Sequence, residues 1–328
     1  MKYINHGTGG LADCMQIGEM PTPQPAAGQV LIEVAYAGVN RPDVLQRSGR
    51  YPPPPDASPV LGLEVAGVIA ALGEGVTQWQ VGDRVCALTP GGGYAQFCLA
   101  PAGHVLPVPT GMSMEAAAAL PEVWFTVWAN LVGLGRLKTG ERLLIHGGSS
   151  GIGLCAIQLA KHLGVDSLVT VGSDDKAAFC LAYGAHHAIN YNTSDFQSQV
   201  MTMTADEGVD VVLDMVGAPY FQHNLSVLRR DGRLVSIAFL QGSKGEVDLL
   251  PIMVKRLTLT GSTMRVRSVA EKTVIRDALV SNIWPALARG DLPTHICQTF
   301  ALEDATQAHQ LMESSRHIGK IVLRVKGE

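Results

Sequence analysis

The segment Leu143-Leu144-Ile145-His146-Gly147-Gly148-Ser149-Ser150-Gly151-Ile152-Gly153, followed by the apolar run Leu154-Cys155-Ala156-Ile157-Gln158-Leu159-Ala160, constrains the fold more than any other part of the chain. Apolar residues suited to a buried strand pass through a glycine and serine turn into a helix-length run. Such a turn leaves the first N–H groups of the helix free to meet an anion, and glycine lets the backbone approach a pyrophosphate. The spelling departs from GxGxxG: Gly148 and Gly153 fit the first and third glycines, and Ser150 takes the middle place. Gly148, Ser149, Ser150, Gly151, Ile152 and Gly153 are therefore candidates for dinucleotide binding. The competing reading is a plain strand-to-helix turn with Ser149 or Ser150 as N-cap. The stretch Leu143 to Ala160 contains no charged side chain and is long enough for a membrane span, but the glycines in its middle divide it.

What surrounds this turn sets the fold class. Strands are predicted at 142–146, 168–171, 188–190, 209–214, 233–237 and 257–261, with helices between them that include 151–163 and 174–183. This alternation implies βαβ units, a parallel sheet and right-handed crossovers. Before about residue 120 the rhythm is different. Short runs such as Val30–Val34, Val65–Ile69 and Tyr94–Cys98 are separated by Gly and Pro turns, with a short helix over Pro42–Arg47. After 265 the chain is expected to form a helix over 269–288, a strand over 296–300, a helix over 303–314 and a last strand over 320–325, and to pack back on the first half. With 328 residues the chain exceeds one usual core, so the expected organisation is α/β with two domains: 1–122 joined by 266–328, and 123–265.

The second strand of the alternating half bears on the choice of dinucleotide. An NAD site places an acidic residue at the end of that strand, roughly 20 positions beyond the glycines, to hold the ribose 2′-hydroxyl. Here the strand ends Val169-Thr170-Val171-Gly172-Ser173. Gly172 stands in the acidic place, and Ser173 and Lys176 supply a donor and a cation suited to a 2′-phosphate. NADP(H) is the favoured cofactor. Asp174 and Asp175 have two readings, as ribose partners or as negative charge at the start of the next helix.

Charge and cysteine content exclude several classes. Lys+Arg 25 against Asp+Glu 29 gives a net charge of -4, with no basic footprint for nucleic acid or an anionic membrane, so a small molecule is the expected partner. The 6 cysteines form no CxxC pair and no cluster with histidine, and read as packed, reduced thiols. The first residues lack the pattern of a secretory signal, and the expected location is cytoplasmic.

Several motifs carry a family resemblance. Val39-Asn40-Arg41-Pro42-Asp43, Gly49-Arg50-Tyr51-Pro52, Leu61-Gly62-Leu63-Glu64-Val65-Ala66-Gly67, Val81-Gly82-Asp83-Arg84-Val85 and His317-Ile318-Gly319-Lys320-Ile321-Val322-Leu323 together resemble the zinc-independent quinone oxidoreductases. These include zeta-crystallin and are a branch of the medium-chain dehydrogenase/reductases. Arg47 to Pro54 and Leu120-Pro121-Glu122-Val123-Trp124 are most similar to the tumour-suppressor-inducible type. The resemblance implies a GroES-like catalytic domain and a Rossmann domain. It also implies Asn40, Asp43 and Tyr51 on the first-domain wall of the acceptor site, with Ser150 on the cofactor side. Tyr191, Phe239, Arg265 and Arg316 join the cofactor candidates, Tyr191 and Arg316 at the 2′-phosphate. Plain roles stand beside these: Asn40 and Asp43 as a helix cap, Tyr51 as loop packing, Ser150 as an N-cap, and Arg265 and Arg316 as solvated charges.

Zinc-dependent members of the superfamily carry a cysteine ligand near position 40 and a histidine just before Glu64. This chain has Asn40 and Leu63 there, and no metal is expected. The expected activity is zinc-independent transfer of hydride from NADPH to a quinone or similar electron-poor acceptor. The alternatives are an enone or enoyl reductase, and an NADPH-binding protein with little turnover. The apolar run Leu257-Thr258-Leu259-Thr260-Gly261, placed last in the sheet, predicts a homodimer through an open edge unless Lys255 and Arg256 or the following helix protect it.

Overall fold

The computed structural model describes residues 1–327. The chain forms two compact units, one from Met1–Phe125 together with the segment from Arg265 onward, the other from Thr126–Met264. The division falls inside the helix Pro121–Val127, and Arg265 goes with the tail rather than with the nucleotide-type half to which the sequence assigned it.

The Thr126–Met264 unit is a six-stranded parallel sheet built from β1 (Arg142–His146), β2 (Asp166–Val171), β3 (His187–Asn190), β4 (Val209–Asp214), β5 (Leu228–Ser236) and β6 (Thr258–Gly261). The strand order β3-β2-β1-β4-β5-β6 reverses direction between β1 and β4, the crevice where open α/β sheets place ligands. Helix α1 (Gly151–Leu163) follows β1, and α2 (Asp174–Tyr183) follows β2. Leu143, Leu144, Ile145, Val211, Val212 and Leu213 are fully buried, as continuous apolar runs require in a sheet covered on both faces. Gly164 and Gly184 end the two helices in left-handed conformations.

At the other end of the sheet β6 pairs only with β5 and is largely exposed. Lys255 does not guard this edge: its ammonium donates to the carbonyls of Leu225, Ser226 and Leu228 at 3.1, 2.7 and 2.8 Å. Arg256 is paired with Asp231. Just before β6 the short helix Leu250–Val254 leaves Leu249, Leu250, Met253 and Val254 exposed.

The other unit centres on the long strand Gln29–Val39. One side of it pairs with Glu64–Leu72; the other is shared by Phe97–Pro101 and Lys320–Arg324, all antiparallel. Ile296–Ala301 adds to Lys320–Arg324 in parallel, while Arg84–Leu88 and Val105–Pro107 extend the opposite edge. The tail thus completes the sheet of the first segment, with Ile321 and Leu323 in one core with Val30, Ile32, Val65 and Val85. The helix expected over 269–288 is broken into Val269–Asn282 and Trp284–Ala288, because Pro285 cannot continue the hydrogen-bond ladder. The next helix starts at Ala305, after a 3₁₀ turn, rather than at 303. Met114–Leu134 is long and apolar enough to cross a membrane, and 72 % of its apolar 18-residue window is buried within the protein.

Candidate functional site

In the Thr126–Met264 unit the site grows from the β1–α1 turn. Gly147, just before the glycine fitted to the first fingerprint position, takes the left-handed conformation, φ +72°. A Cβ at Gly148 would lie 2.4 Å from the Val169 side chain, and one at Gly153 would lie 2.4 Å from the Gly147 and Gly148 carbonyl oxygens. These glycines are needed for close approach of helix, turn and strand. Ser150 is the N-cap: its Oγ accepts the Gly153 N–H at 3.0 Å and donates to the Gly147 carbonyl at 2.7 Å. Ser149 is buried, while Gly151 and Ile152 are half-buried on the first turn of α1.

At the end of β2, Gly172 is followed by Ser173, which caps α2 by accepting the Lys176 N–H at 3.3 Å. A Cβ on Gly172 would stand 2.7 Å from the Tyr191 hydroxyl. The Tyr191 hydroxyl therefore lies directly beside the position that carries the acidic side chain in an NAD site. Gly172, Ser173, Lys176 and Tyr191 are thus brought together. Asn192 joins them, its Nδ2 donating to the Gly172 carbonyl at 2.8 Å. Asp174 accepts from Asn190 Nδ2 at 2.8 Å and lies in the first turn of α2, where negative charge is favoured.

Phe239 lies beyond β5, about half exposed, beside the turn after β4 where a Cβ on Gly217 would be 3.0 Å from its ring. That turn is held by the buried Asp214 carboxylate, which accepts the Val216 and Gly217 N–H groups at 2.8 and 3.2 Å. Burial pushes the Asp214 pKa up to about 6. His146 is a satisfied core residue: its ring nitrogens meet Thr170 Oγ1 at 2.9 Å and Asn224 Oδ1 at 2.7 Å.

In the unit containing the N-terminus and tail, the helix Arg41–Arg47 starts from Asn40, and Asp43 Oδ2 accepts the Asn40 N–H at 2.8 Å. The Asn40 side chain reaches further than a cap. Its Nδ2 donates to Glu64 Oε1 at 2.8 Å, and its Oδ1 accepts from Lys320 Nζ at 2.6 Å. Lys320 also lies 2.6 Å from Glu64 Oε1, and the other Glu64 oxygen accepts the Glu122 N–H at 2.9 Å. Gly38 makes the room, since a Cβ there would collide with the Glu64 carboxyl.

Asp43 is fully buried. It accepts the Gly62 N–H at 3.1 Å and lies 3.3 Å from the Tyr94 hydroxyl. The line continues from Tyr94 to His309 Nε2 at 3.1 Å, from His309 Nδ1 to Arg47 at 3.2 Å, and from Arg47 to Glu313. With Arg47 donating to Nδ1, the neutral ring of His309 donates from Nε2 to Tyr94, which donates to Asp43. Burial pushes Asp43 up to about 6 despite these donors, and pushes Glu122 up to about 7.

Tyr51 is half-buried, and Arg265 Cζ sits 5.4 Å from its ring centroid. Burial raises the Tyr51 pKa and the neighbouring Arg265 partly opposes this, so the hydroxyl is a protonated donor at neutral pH. Arg316 is exposed, with its Nε 3.4 Å from Ser314 Oγ. Asn40, Asp43, Tyr51, Arg265 and Arg316 thus all belong to this unit. Sequence reasoning missed Arg47, Tyr94, Glu122, His309 and Lys320 as members of the buried cluster. The usable signal was a charged residue inside an apolar strand, as in Leu63-Glu64-Val65-Ala66 and Gly319-Lys320-Ile321-Val322.

Comparison with known proteins bears on both units. The family of alcohol dehydrogenase GroES-like domains matches residues 26–110, and the zinc-binding dehydrogenase family matches residues 151–278. The chain is 32 % identical to quinone oxidoreductase of Rattus norvegicus over 309 residues, covering 93 % of this chain and 92 % of the relative. Escherichia coli quinone oxidoreductase complexed with NADPH superposes with a TM-score of 0.88 at 30 % identity, covering 99 % of this chain and 100 % of that one. CurK enoyl reductase superposes with a TM-score of 0.86 at 30 % identity, covering 98 % of both chains.

Proposed function

Because the chain belongs to the medium-chain dehydrogenase/reductase superfamily, with quinone oxidoreductases among its relatives, we propose that it is an NADPH-dependent reductase passing hydride to a quinone or similar electron-poor acceptor. The observation that carries this reading is the end of β2. Gly172 leaves the end of β2 without a carboxylate and beside the Tyr191 hydroxyl, and Ser173 and Lys176 on the first turn of α2 offer a donor and a cation suited to a 2′-phosphate.

NADPH would supply the hydride. The turn Gly147–Gly153 would hold its pyrophosphate against the first N–H groups of α1, with Ser150 fixing the shape of that turn. Ser173, Lys176 and Tyr191 would hold the 2′-phosphate, and Phe239 would pack on the dinucleotide. Tyr51 is proposed to donate from its hydroxyl to the acceptor oxygen, where a well-placed donor lowers the barrier as charge develops. Asn40 and Asp43 act as positioning residues that tie the Arg41–Arg47 helix to Glu64 and Lys320.

Zinc independence is part of the proposal, although a matched family bears zinc in its description. A zinc site needs three or four converging thiolate, imidazole or carboxylate ligands. Among the described residues no three His, Cys, Asp or Glu side chains converge in that way. The Glu64 carboxylate is already neutralised by the Lys320 ammonium, so the donor set does not fit a second cation there. A homodimer through β6 is also proposed, supported by the exposed edge and by the diversion of Lys255 and Arg256 to other partners.

A second reading, reduction of an enone or enoyl thioester, is favoured by the likeness to CurK enoyl reductase. Steady-state oxidation of NADPH against quinones, enones and enoyl thioesters tests both. The highest kcat/KM with a quinone supports the first reading, and the highest with an enoyl thioester supports the second. No acceptor-dependent oxidation, or a preference for NADH, refutes the proposal.

A further inference from the structure

Arg265 is 8 % exposed and is held unusually for a buried cation. Its Nε and Nη2 both donate to one carbonyl, that of Pro90, at 3.2 and 2.8 Å. These two nitrogens form one edge of the planar guanidinium, so the clamp turns Nη1 to the opposite edge. Nη1 is buried and, among the described residues, meets no hydrogen-bond partner. The backbone is fixed as well, since Lys272 Nζ donates to the Arg265 carbonyl at 3.1 Å. No carboxylate among the described residues lies within ion-pair distance of the guanidinium; it is stacked on the Tyr51 ring instead.

A buried charged donor left unpaired is destabilising, and in native proteins such a group calls for an explanation, a catalytic role or a missing ligand or water among them. What completes this one is a hydrogen-bond acceptor, and one bearing negative charge gains most over water. We propose that Arg265 Nη1 donates to the oxygen of the bound hydride acceptor on which negative charge develops, forming with the Tyr51 hydroxyl a two-donor oxyanion site. This rests on the reductase reading and assigns Arg265 to the acceptor rather than to the dinucleotide. Hydride brings two electrons to the acceptor, and its oxygen becomes the oxyanion. Arg265 keeps all its protons and stabilises that charge, and the proton that neutralises the product comes from water. Arg265 Cζ lies 5.4 Å from the Tyr51 ring centroid, so the two residues that would supply the donors are in contact.

The test compares Arg265→Met and Arg265→Lys with the parent. Removal of one oxyanion donor is expected to lower kcat/KM for 1,4-naphthoquinone about 10²- to 10³-fold in Arg265→Met, with NADPH affinity within about threefold of the parent. Arg265→Lys, which keeps the charge, recovers part of the loss. A readout independent of turnover is equilibrium binding of 2-hydroxy-1,4-naphthoquinone, an anion at neutral pH, to the NADP⁺-bound protein. Arg265→Met should weaken it about 10- to 100-fold. Loss of NADPH affinity by the same factor in both variants returns Arg265 to the dinucleotide and overturns the proposal. Unchanged kinetics and unchanged anion binding leave the residue as a clamp on Pro90 and also overturn it. A parent protein that binds the anion through Arg265 but oxidises no NADPH sinks the reductase reading alone.

Discussion

Replacing Lys320 by Met tests whether the buried Asn40, Glu64 and Lys320 group holds the N-terminal segment and the tail together. Glu64 is fully buried and Lys320 is 5 % exposed, with the ammonium 2.6 Å from the carboxylate and 2.6 Å from Asn40 Oδ1. Removing one partner of a buried pair leaves the other charge uncompensated, at a typical loss of about 3–5 kcal/mol. Glu64 keeps the Asn40 and Glu122 donors, which places the expected loss near the lower bound, about 3 kcal/mol. For a unit of this size that corresponds to a fall in Tm of about 6–12 °C. Adding Glu64→Gln should restore most of the stability, because the buried charge is then gone while the side chain still accepts from the Glu122 N–H. Urea denaturation at pH 7.5, followed by tryptophan fluorescence, reads both variants. A single variant within about 1 kcal/mol of the parent, or a double variant no better than the single, would refute the reasoning.

Further outcomes are expected. Lys176→Ala should weaken NADPH binding about 10- to 100-fold and leave NADH unaffected, measured by isothermal titration; equal loss for both removes Lys176 from the 2′-phosphate site. Glu122 is pushed up by burial to about 7 from an ordinary 4.5, so the stability tied to its protonated form is full below pH 4.5 and is lost as pH rises through 7. Glu122→Gln should therefore gain about 2–3 kcal/mol on the parent between pH 4.5 and 7 and stay level above, and a gain that does not vary with pH would contradict this. His146 and His309, pushed down by burial to about 4 and about 3, act in the opposite sense: their contribution is full above pH 6.5 and is lost as pH falls toward those values. Denaturation of His309→Gln should be less sensitive to pH than the parent between 6.5 and 4. Light scattering at micromolar concentration should give about twice the 34.8 kDa chain mass, and Leu259→Pro should dissociate or unfold the dimer; a parent mass near one chain refutes it.

The parallel sheet is legible in the sequence because its signals are local. The apolar runs of β1 and β4, the turn at Gly147–Gly153 and the caps Ser150 and Ser173 each lie within a few consecutive residues. Strand ends were less legible. Gln29–Val39 extends well past the apolar core Val30–Val34, because its second half gains a partner from the tail. The buried cluster was the least legible part. Asn40 and Lys320 are 280 positions apart, and Tyr94 and His309 are 215 apart. Only the pairing of Lys320–Arg324 with Gln29–Val39 and the packing of the tail helix bring them together, and periodicity within a window carries no trace of that. Arg265 shows the same limit: its family neighbourhood was legible, but its clamp on Pro90 was not.

The return of the tail to the first sheet also sets an order of events on the ribosome. Every residue of the Thr126–Met264 unit emerges before Lys320 does, so that unit can complete its sheet while the other still lacks two strands. At about 5–20 residues per second, Asn40 waits roughly 15–60 s for the ammonium that lies 280 positions downstream. Through that interval one side of Gln29–Val39 is open beyond its pairing with Phe97–Pro101, and Glu64 has no cation to meet. The nascent chain therefore passes through a stage with a finished Thr126–Met264 unit attached to a first unit whose sheet is unclosed. A circular permutant that delivers residues 265–327 first would shorten that stage, and should fold in cell-free synthesis with less need of chaperones than the natural order.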